Sequence, residues 1–282
     1  MKSCAVLLST YNGENYLTQL IESVLAQKNV ELNLIVRDDG SSDKTIEILN
    51  KYQSEGKLEY YYGKNLRPAR SFMDLVFNVD EKFDYYAFCD QDDYWKPEKL
   101  ISAIQMLENG NPEIPMLYNC ALEIVDKDLN FIRESFRDNQ KEVPPLYSIL
   151  MQETPGCTFV FNRALLAELR KFKPHTISMH DTWVALVCLA AGGKYYSDKN
   201  AYIKYRQHEA NVVGSEKKSF SKRLKEVMND KGEKRSDMCQ ELFEAYKDIM
   251  MPEVRDAFYT FSNYNRSFKC FLCYQRSVEQ KS

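Results

Sequence analysis

The chain has 282 residues, 44% of them apolar and 28% charged, with 38 Lys and Arg against 41 Asp and Glu. This is the balance of an ordinary globular protein. It excludes a disordered or fibrous chain and offers no global basicity that would point to nucleic acid. The length fits one large domain or two small ones, and it suffices for a core without disulfides or structural metals.

No run approaches the ~18 apolar residues of a spanning helix; the longest, Trp183 to Ala191, is too short. The N-terminal apolar run lacks the long hydrophobic region and small-residue cleavage site of a signal peptide, so a cytoplasmic protein is expected. Most of the eight cysteines lie in apolar segments such as CAVLL (Cys4), YYAFC (Cys89) and VALVCLA (Cys188). That is the pattern of reduced, buried thiols. Cys270 and Cys273 form a CxxC without a second ligand pair, and His175, His180 and His208 are not at zinc-finger spacing from it.

The elements read in chain order as follows. CAVLL (residues 4–8) is a short buried strand, followed by the turn-rich STYNGEN. Leu17, Leu20, Ile21, Val24 and Leu25 then recur at the spacing of an amphipathic helix. Residues 32–36 read as a strand ending in RDDGSSD, and Asp43 is placed to cap the helix after it. A third strand spans residues 58–62, a helix 70–77, and a fourth strand 84–89 that ends in DQDD. This alternation predicts an α/β chain with a mostly parallel sheet. Further on, the spacing predicts a helix at 98–107, a strand at 116–125 and a polar loop over 126–150. A strand at 158–161, helices at 162–172 and 183–191, and a strand at 194–205 complete the pattern.

In open sheets of this kind ligands bind beyond the carboxyl ends of the strands. Three strand ends carry polar clusters: Ser9-Thr10-Tyr11-Asn12, Asp38-Asp39-Gly40-Ser41 and Asp90-Gln91-Asp92-Asp93. They are expected to meet on one sheet edge. Three carboxylates at the last of these repel one another, and a hard divalent cation offsets that cost. Oxygen ligands suit Mg²⁺ or Mn²⁺, usually through one or two carboxylates plus substrate phosphates. A helix N-terminus explains one Asp there, or two, but not three. In the second cluster Gly40 and Asp43 have turn and cap roles, whereas Asp38 and Asp39 remain for a pyrimidine imide or ribose hydroxyls. No glycine-rich phosphate loop and no G-x-S-x-G elbow is present. Asp181 opens a helical run, as an N-cap or as a general base. His208 follows a strand, as an ordinary surface or core residue or as a third metal ligand.

Together STYNGENYLTQLIESVLAQ, IVRDDGSSDKT and DYYAFCDQDDYWKPEKL resemble the family 2 glycosyltransferases with the GT-A fold. PGCTFVFNRALL, MHDTW and YRQHEANVVG narrow the resemblance to the bacterial rhamnosyltransferase-like branch of cell-surface polysaccharide synthesis. The resemblance spans about residues 3–215. It implies a nucleotide-sugar-binding half at 1–95 and an acceptor-binding and catalytic half at 96–215; residues 216–282, beyond the resemblance, are expected to form a helical C-terminal extension. Thr10, Tyr11, Asp38 and Asp39 would hold the nucleoside, with Asn12 and Gln91 beside them in the donor site. Asp90 would lie near the ribose, Asp92 would ligate Mn²⁺ or Mg²⁺, and His208 would add a metal contact. Asp181 would be the catalytic base. The chain departs from the commoner pattern by having His-Asp in place of Glu-Asp at that base. It also lacks the Q-x-x-R-W of processive synthases, which implies one sugar added per visit.

The implied partners are a nucleoside-diphosphate sugar and a saccharide or lipid-linked saccharide acceptor. Residues 216–235 carry eight Lys or Arg against four Asp or Glu. That basic run, with Phe220 and Leu224, and a second one around Phe268, Phe271 and Leu272 are solvated helix faces or contacts with the inner membrane face. Two rival readings are a nucleotidyltransferase, marked by pyrophosphate release, and a sugar-nucleotide-binding assembly protein, marked by binding without turnover.

Overall fold

A computed structural model of the chain describes residues 1–135, 155–207 and 235–263. The first part alternates as the periodicities predict: β1 (Ser3–Thr10), α1 (Leu17–Leu25), β2 (Glu31–Asp38), α2 (Thr45–Ser54), β3 (Glu59–Tyr62), α3 (Arg67–Asn78) and β4 (Tyr85–Cys89). There follow β5 (Tyr94–Trp95), α4 (Lys99–Leu107), β6 (Met116–Val125), β7 (Phe131–Glu134), β8 (Val160–Asn162) and α5 (Arg163–Leu169). The last described elements are α6 (His180–Ala190), β9 (Lys194–Arg206), α7 (Arg235–Tyr246) and α8 (Pro252–Ser262).

One sheet runs β3-β2-β1-β4-β8-β6-β9-β5, with β7 paired to β6. The four strands β3-β2-β1-β4 are parallel, as expected from helical crossovers. Beyond β4 the sheet is mixed: β8 runs antiparallel to β4 and β6, and β9 lies parallel to β6. Part of the region read as polar loop, 126–150, contains β7. Asp126 builds a tight turn there by accepting the N–H groups of Asp128 and Asn130 at 2.9 Å each. Phe131 and Ile132 remain exposed on β7, so no apolar alternation marks it.

The parallel strands are apolar throughout because both of their faces are covered. Cys4, Val6 and Leu8 point to one core with α1, α2 and α4. Ala5 and Leu7 point to the other, with α3 and α6. Met238, Leu242, Phe258 and Phe261 of α7 and α8 enter this second core beside Trp183 and Val187. Over 235–262 the C-terminal helices therefore complete the same core as the sheet. This explains why α6 carries no polar stripe: it is buried between sheet and helices. The six cysteines at 4, 89, 120, 157, 188 and 239 are all free and buried. Among the described residues no helix is long and apolar enough to cross a membrane.

Candidate active site

Parallel register sets Thr10 beside Asp38 and Asp38 beside Tyr62, in one row at the carboxyl edge. The three predicted clusters meet there. Thr10 Oγ1 and the Tyr11 N–H both donate to Gln91 Oε1, at 2.7 and 2.8 Å, and Gln91 Nε2 donates to the Tyr11 carbonyl at 3.1 Å. Gln91 thus ties the end of β1 to the acidic turn after β4. On the other side the Asn12 N–H donates to Ser41 Oγ at 2.8 Å, and Asn12 Oδ1 accepts the Ser42 N–H at 2.8 Å. Tyr11 stays half exposed at the rim.

The two carboxylates after β2 have different surroundings. Asp38 Oδ1 accepts the Gly40 and Ser41 N–H groups at 3.0 and 2.9 Å, and its Oδ2 accepts Ser41 Oγ–H. Gly40 allows this turn because its φ is +84°. Asp39 is buried and ion-paired with Arg37, and its Oδ2 accepts the Leu66 N–H at 3.0 Å. Arg37, itself buried, also bonds Asp74 at 2.9 Å, Ser71 Oγ at 3.1 Å and the Lys64 carbonyl at 3.1 Å. The ion pair on one oxygen and the backbone bond on the other hold the Asp39 carboxylate in place. Asp43 sits just before Lys44, the cap of α2. Its Oδ1 holds the Thr45 N–H at 3.0 Å and its Oδ2 the Glu14 N–H at 3.1 Å.

Asp90, Asp93 and Cys157 each bring one ligand atom to within 4.8 Å of the others. Burial, then Asp92 and Asp181, push the Asp90 carboxyl up to about 7. Burial, then Asp92 and Asp90, raise Asp93 well above the carboxylate range. So much uncompensated acidity is the field a divalent cation relieves, and two hard carboxylates fit Mg²⁺ or Mn²⁺. Asp92 stands beside this set and acts on both acids. Beneath them Lys99 is fully buried, donates to the Cys157 carbonyl at 3.0 Å and lies over the Trp95 ring. Burial lowers its pKa to about 8. Arg206, at the end of β9, holds the turn from outside. Its Nε donates to the Asp92 carbonyl at 2.8 Å, its backbone N–H to Asp93 Oδ1 at 3.3 Å, and its Nη2 to Gln19 Oε1 at 2.6 Å.

Asp181 is in the first turn of α6, where a carboxylate is favoured by the helix dipole. It is not the cap: Met179 occupies that position, and Asp181 Oδ1 accepts the next N–H, that of Thr182, at 2.6 Å. Its charge reaches Asp90, so the expected base and the acidic turn share one site. His180 stacks on Phe72 at 3.9 Å and meets Phe88 edge-on at 5.0 Å. Neither of its ring nitrogens has a hydrogen-bond partner among the described residues, and burial lowers its pKa to about 4. A Cβ on Gly156 would lie 2.5 Å from His180 Nε2 and 3.1 Å from Asp181 Cβ, so a glycine lets the 155–158 turn approach α6. His208 lies outside the described residues.

Residues 5–170, more than half of the chain, match the model of glycosyl transferase family 2. The chain belongs to glycosyl transferase family 2. The dTDP-rhamnosyl transferase RfbG of Shigella flexneri is 30% identical to this glycosyltransferase over 223 residues, 74% of either chain. Among solved structures, S. aureus TarS 1-349 in complex with UDP-GlcNAc superposes with a TM-score of 0.60 at 17% identity, covering 100% of this chain and 93% of that one. A mannosyltransferase of Pyrobaculum calidifontis in complex with GDP-Man and Mn²⁺ gives 0.51 at 15% identity, covering 94% and 75%. The mixed, curled sheet with flanking helices is the GT-A fold.

Sequence reasoning did not single out Arg37, Lys99, Cys157 or Arg206 in this glycosyltransferase. Arg37, Lys99 and Arg206 each stand where an apolar run meets a polar one, and Cys157 reads as one more buried thiol. The only signal was a charged side chain where a buried one was due, as at Lys99 on the apolar face of α4.

Proposed function

We propose that the chain is an inverting, metal-dependent glycosyltransferase. It moves one sugar from a nucleoside-diphosphate donor, dTDP-rhamnose or a UDP-sugar, to a growing cell-surface polysaccharide or lipid-linked acceptor. The observation that carries this reading is the convergence of Gln91, Asp39, the Asp90–Asp93 turn and Asp181 on one sheet edge. The relative named as a dTDP-rhamnosyl transferase and the TarS complex with UDP-GlcNAc support the donor class. The reaction takes place in the cytoplasm or at the inner membrane face.

Asp39, clamped by Arg37, accepts the imide N–H of uracil or thymine, while Tyr11 flanks the base and Thr10, Asn12 and Asp38 shape the loop around it. Asp90 accepts from a ribose hydroxyl, and Gln91 keeps the two strand ends together. Asp92 and His208 would hold Mn²⁺ or Mg²⁺ beside Asp90 and Asp93. Such an ion, when bound, neutralises charge on the departing diphosphate. Asp181 takes the proton of the acceptor hydroxyl as its oxygen bonds to the anomeric carbon. The bond from that carbon to the diphosphate breaks on the opposite face, and its electron pair leaves with the nucleoside diphosphate. One displacement inverts the centre.

A positioned base contributes roughly 10²–10⁴-fold. Asp181→Asn should therefore lose turnover on that scale, measured as nucleoside diphosphate released from dTDP-rhamnose or UDP-glucose. It should keep its affinity for dTDP or UDP. Undiminished turnover removes Asp181 from the mechanism, and pyrophosphate release from a nucleoside triphosphate would instead mark a nucleotidyltransferase.

A further inference from the structure

The segment between α5 and α6 ends at Met179, the cap of the helix that carries Asp181. Its backbone is held from outside the sheet. The His175 N–H reaches both carboxylate oxygens of Glu241 in α7, at 3.0 and 3.2 Å, and the Thr176 N–H reaches Glu241 Oε2 at 3.3 Å. The Ser178 N–H and hydroxyl meet Met238 Sδ at 3.3 and 3.2 Å. From the opposite side Arg70 of α3 donates to the His175 carbonyl at 3.3 Å.

We propose that Glu241 is a positioning residue for the reaction. Its carboxylate fixes the connector six and five residues before Asp181, at His175 and Thr176, and so sets where α6 begins. The proposal rests on the reading of Asp181 as the base. Two observations separate this role from plain support of α7. First, α7 is already anchored through Met238, Cys239, Leu242 and Tyr246, all buried in the core, whereas Glu241 is only half-buried at its edge. Second, among the described residues every hydrogen bond of the Glu241 carboxylate comes from connector backbone. Charged acceptors on backbone N–H groups are the stronger, more directional hydrogen bonds. Beyond the connector the chain enters a tight fit: His180 wedges between Phe72 and Phe88, against Gly156. A slip of the connector is therefore passed on to Asp181. Glu241 also lies outside residues 5–170, so the match to the family model does not include it.

The test is a double-mutant cycle between Glu241 and Asp181 in the full-length protein. Turnover is read as release of dTDP from dTDP-rhamnose, or of UDP from UDP-glucose, whichever the wild type hydrolyses in Mn²⁺. Glu241→Ala should lower kcat ten- to a hundredfold, the scale of a misplacement of ~1 Å. The thermal shift given by dTDP or UDP should not change. Glu241→Gln, of the same size and with one amide oxygen as acceptor, should lose less and covers the case in which the alanine variant fails to fold. In the Asp181→Asn background, Glu241→Gln should cost nothing further. The proposal is overturned if kcat stays at the wild-type level in both variants, or if the same factor is lost in the Asp181→Asn background. Loss of nucleotide binding in step with turnover overturns it too. Full activity of Asp181→Asn by itself would sink the base reading, and this proposal with it.

Discussion

Arg206 donates its Nε hydrogen to the carbonyl of Asp92 at 2.8 Å, joining the last residue of β9 to the acidic turn after β4. The two residues are 114 positions apart in sequence. Arg206 is buried, lies 4.4 Å over the Tyr16 ring and also donates to Gln19 and to the Lys127 carbonyl.

Arg206→Met should therefore release the half-buried Asp92 carbonyl, at about 1–3 kcal/mol, while the acceptors on the exposed Gln19 and Lys127 turn to water, and the buried packing of the guanidinium is lost as well. The expected outcome is a strongly lowered Tm. Arg206→Lys, which keeps the charge but not the planar fork, should fold and lose most of the Mn²⁺-dependent part of the nucleotide thermal shift. A full Mn²⁺ response in Arg206→Lys would mean that the acidic turn holds its shape without this side chain.

His180 gives the protein an acid-sensitive core. Its pKa is near 4 when folded and near 6.5 when unfolded, because burial disfavours the charged ring. The unfolded chain binds the extra proton between those values, so stability falls as pH drops from 6.5 to 4. At 1.36 kcal/mol per unit, the loss is on the order of 3 kcal/mol. His180→Phe should flatten this part of the denaturation profile, measured by urea titration at pH 4.5 and 7. Equal slopes in the two proteins would contradict it.

The C-terminal helices are expected to unfold together with the sheet. Phe258 is fully buried in the core that also holds Trp183. Phe258→Ala should cost about 3–5 kcal/mol. The loss should appear in one cooperative transition followed by both tryptophan fluorescence and far-UV circular dichroism. Two separated transitions would show that α7 and α8 form an independent unit.

Asp39 is expected to choose the base. Asp39→Asn breaks the ion pair with Arg37 and replaces a pure acceptor by an amide. Affinity for UDP and dTDP should fall roughly 10–100-fold, the equivalent of a hydrogen bond to a charged group. Affinity for CDP, which lacks the imide N–H, should change little. A uniform loss over all three nucleotides would assign Asp39 to the loop alone.

The first half of the chain was legible from sequence because its signals are local. The apolar runs of β1 and β4 and the spacing of Leu17, Leu20, Ile21 and Val24 fix the elements, and the strand ends then have to meet at one edge. The second half was less legible. The hairpin partner β7 is short and exposed, and β8 is three residues long. Asp181 could be read as a helix cap from its position; in the structure Met179 is the cap, and the Asp181 charge acts on Asp90, a residue far away in sequence. Lys99 and Arg206 were hidden because their roles depend on partners 58 to 187 residues away.

The most direct test of a metal-dependent nucleotide-sugar site is a thermal-shift panel of UDP, dTDP, GDP and CDP, each with Mn²⁺ and with EDTA. A ligand at 100 times its Kd stabilises by about 2.7 kcal/mol. For a chain of this size that corresponds to a rise of several degrees, at ~2–4 °C per kcal/mol. The account predicts such a rise for UDP or dTDP in Mn²⁺, its loss in EDTA, and no comparable rise for GDP or CDP. No shift with any of the four, or equal shifts with and without the metal, would contradict it.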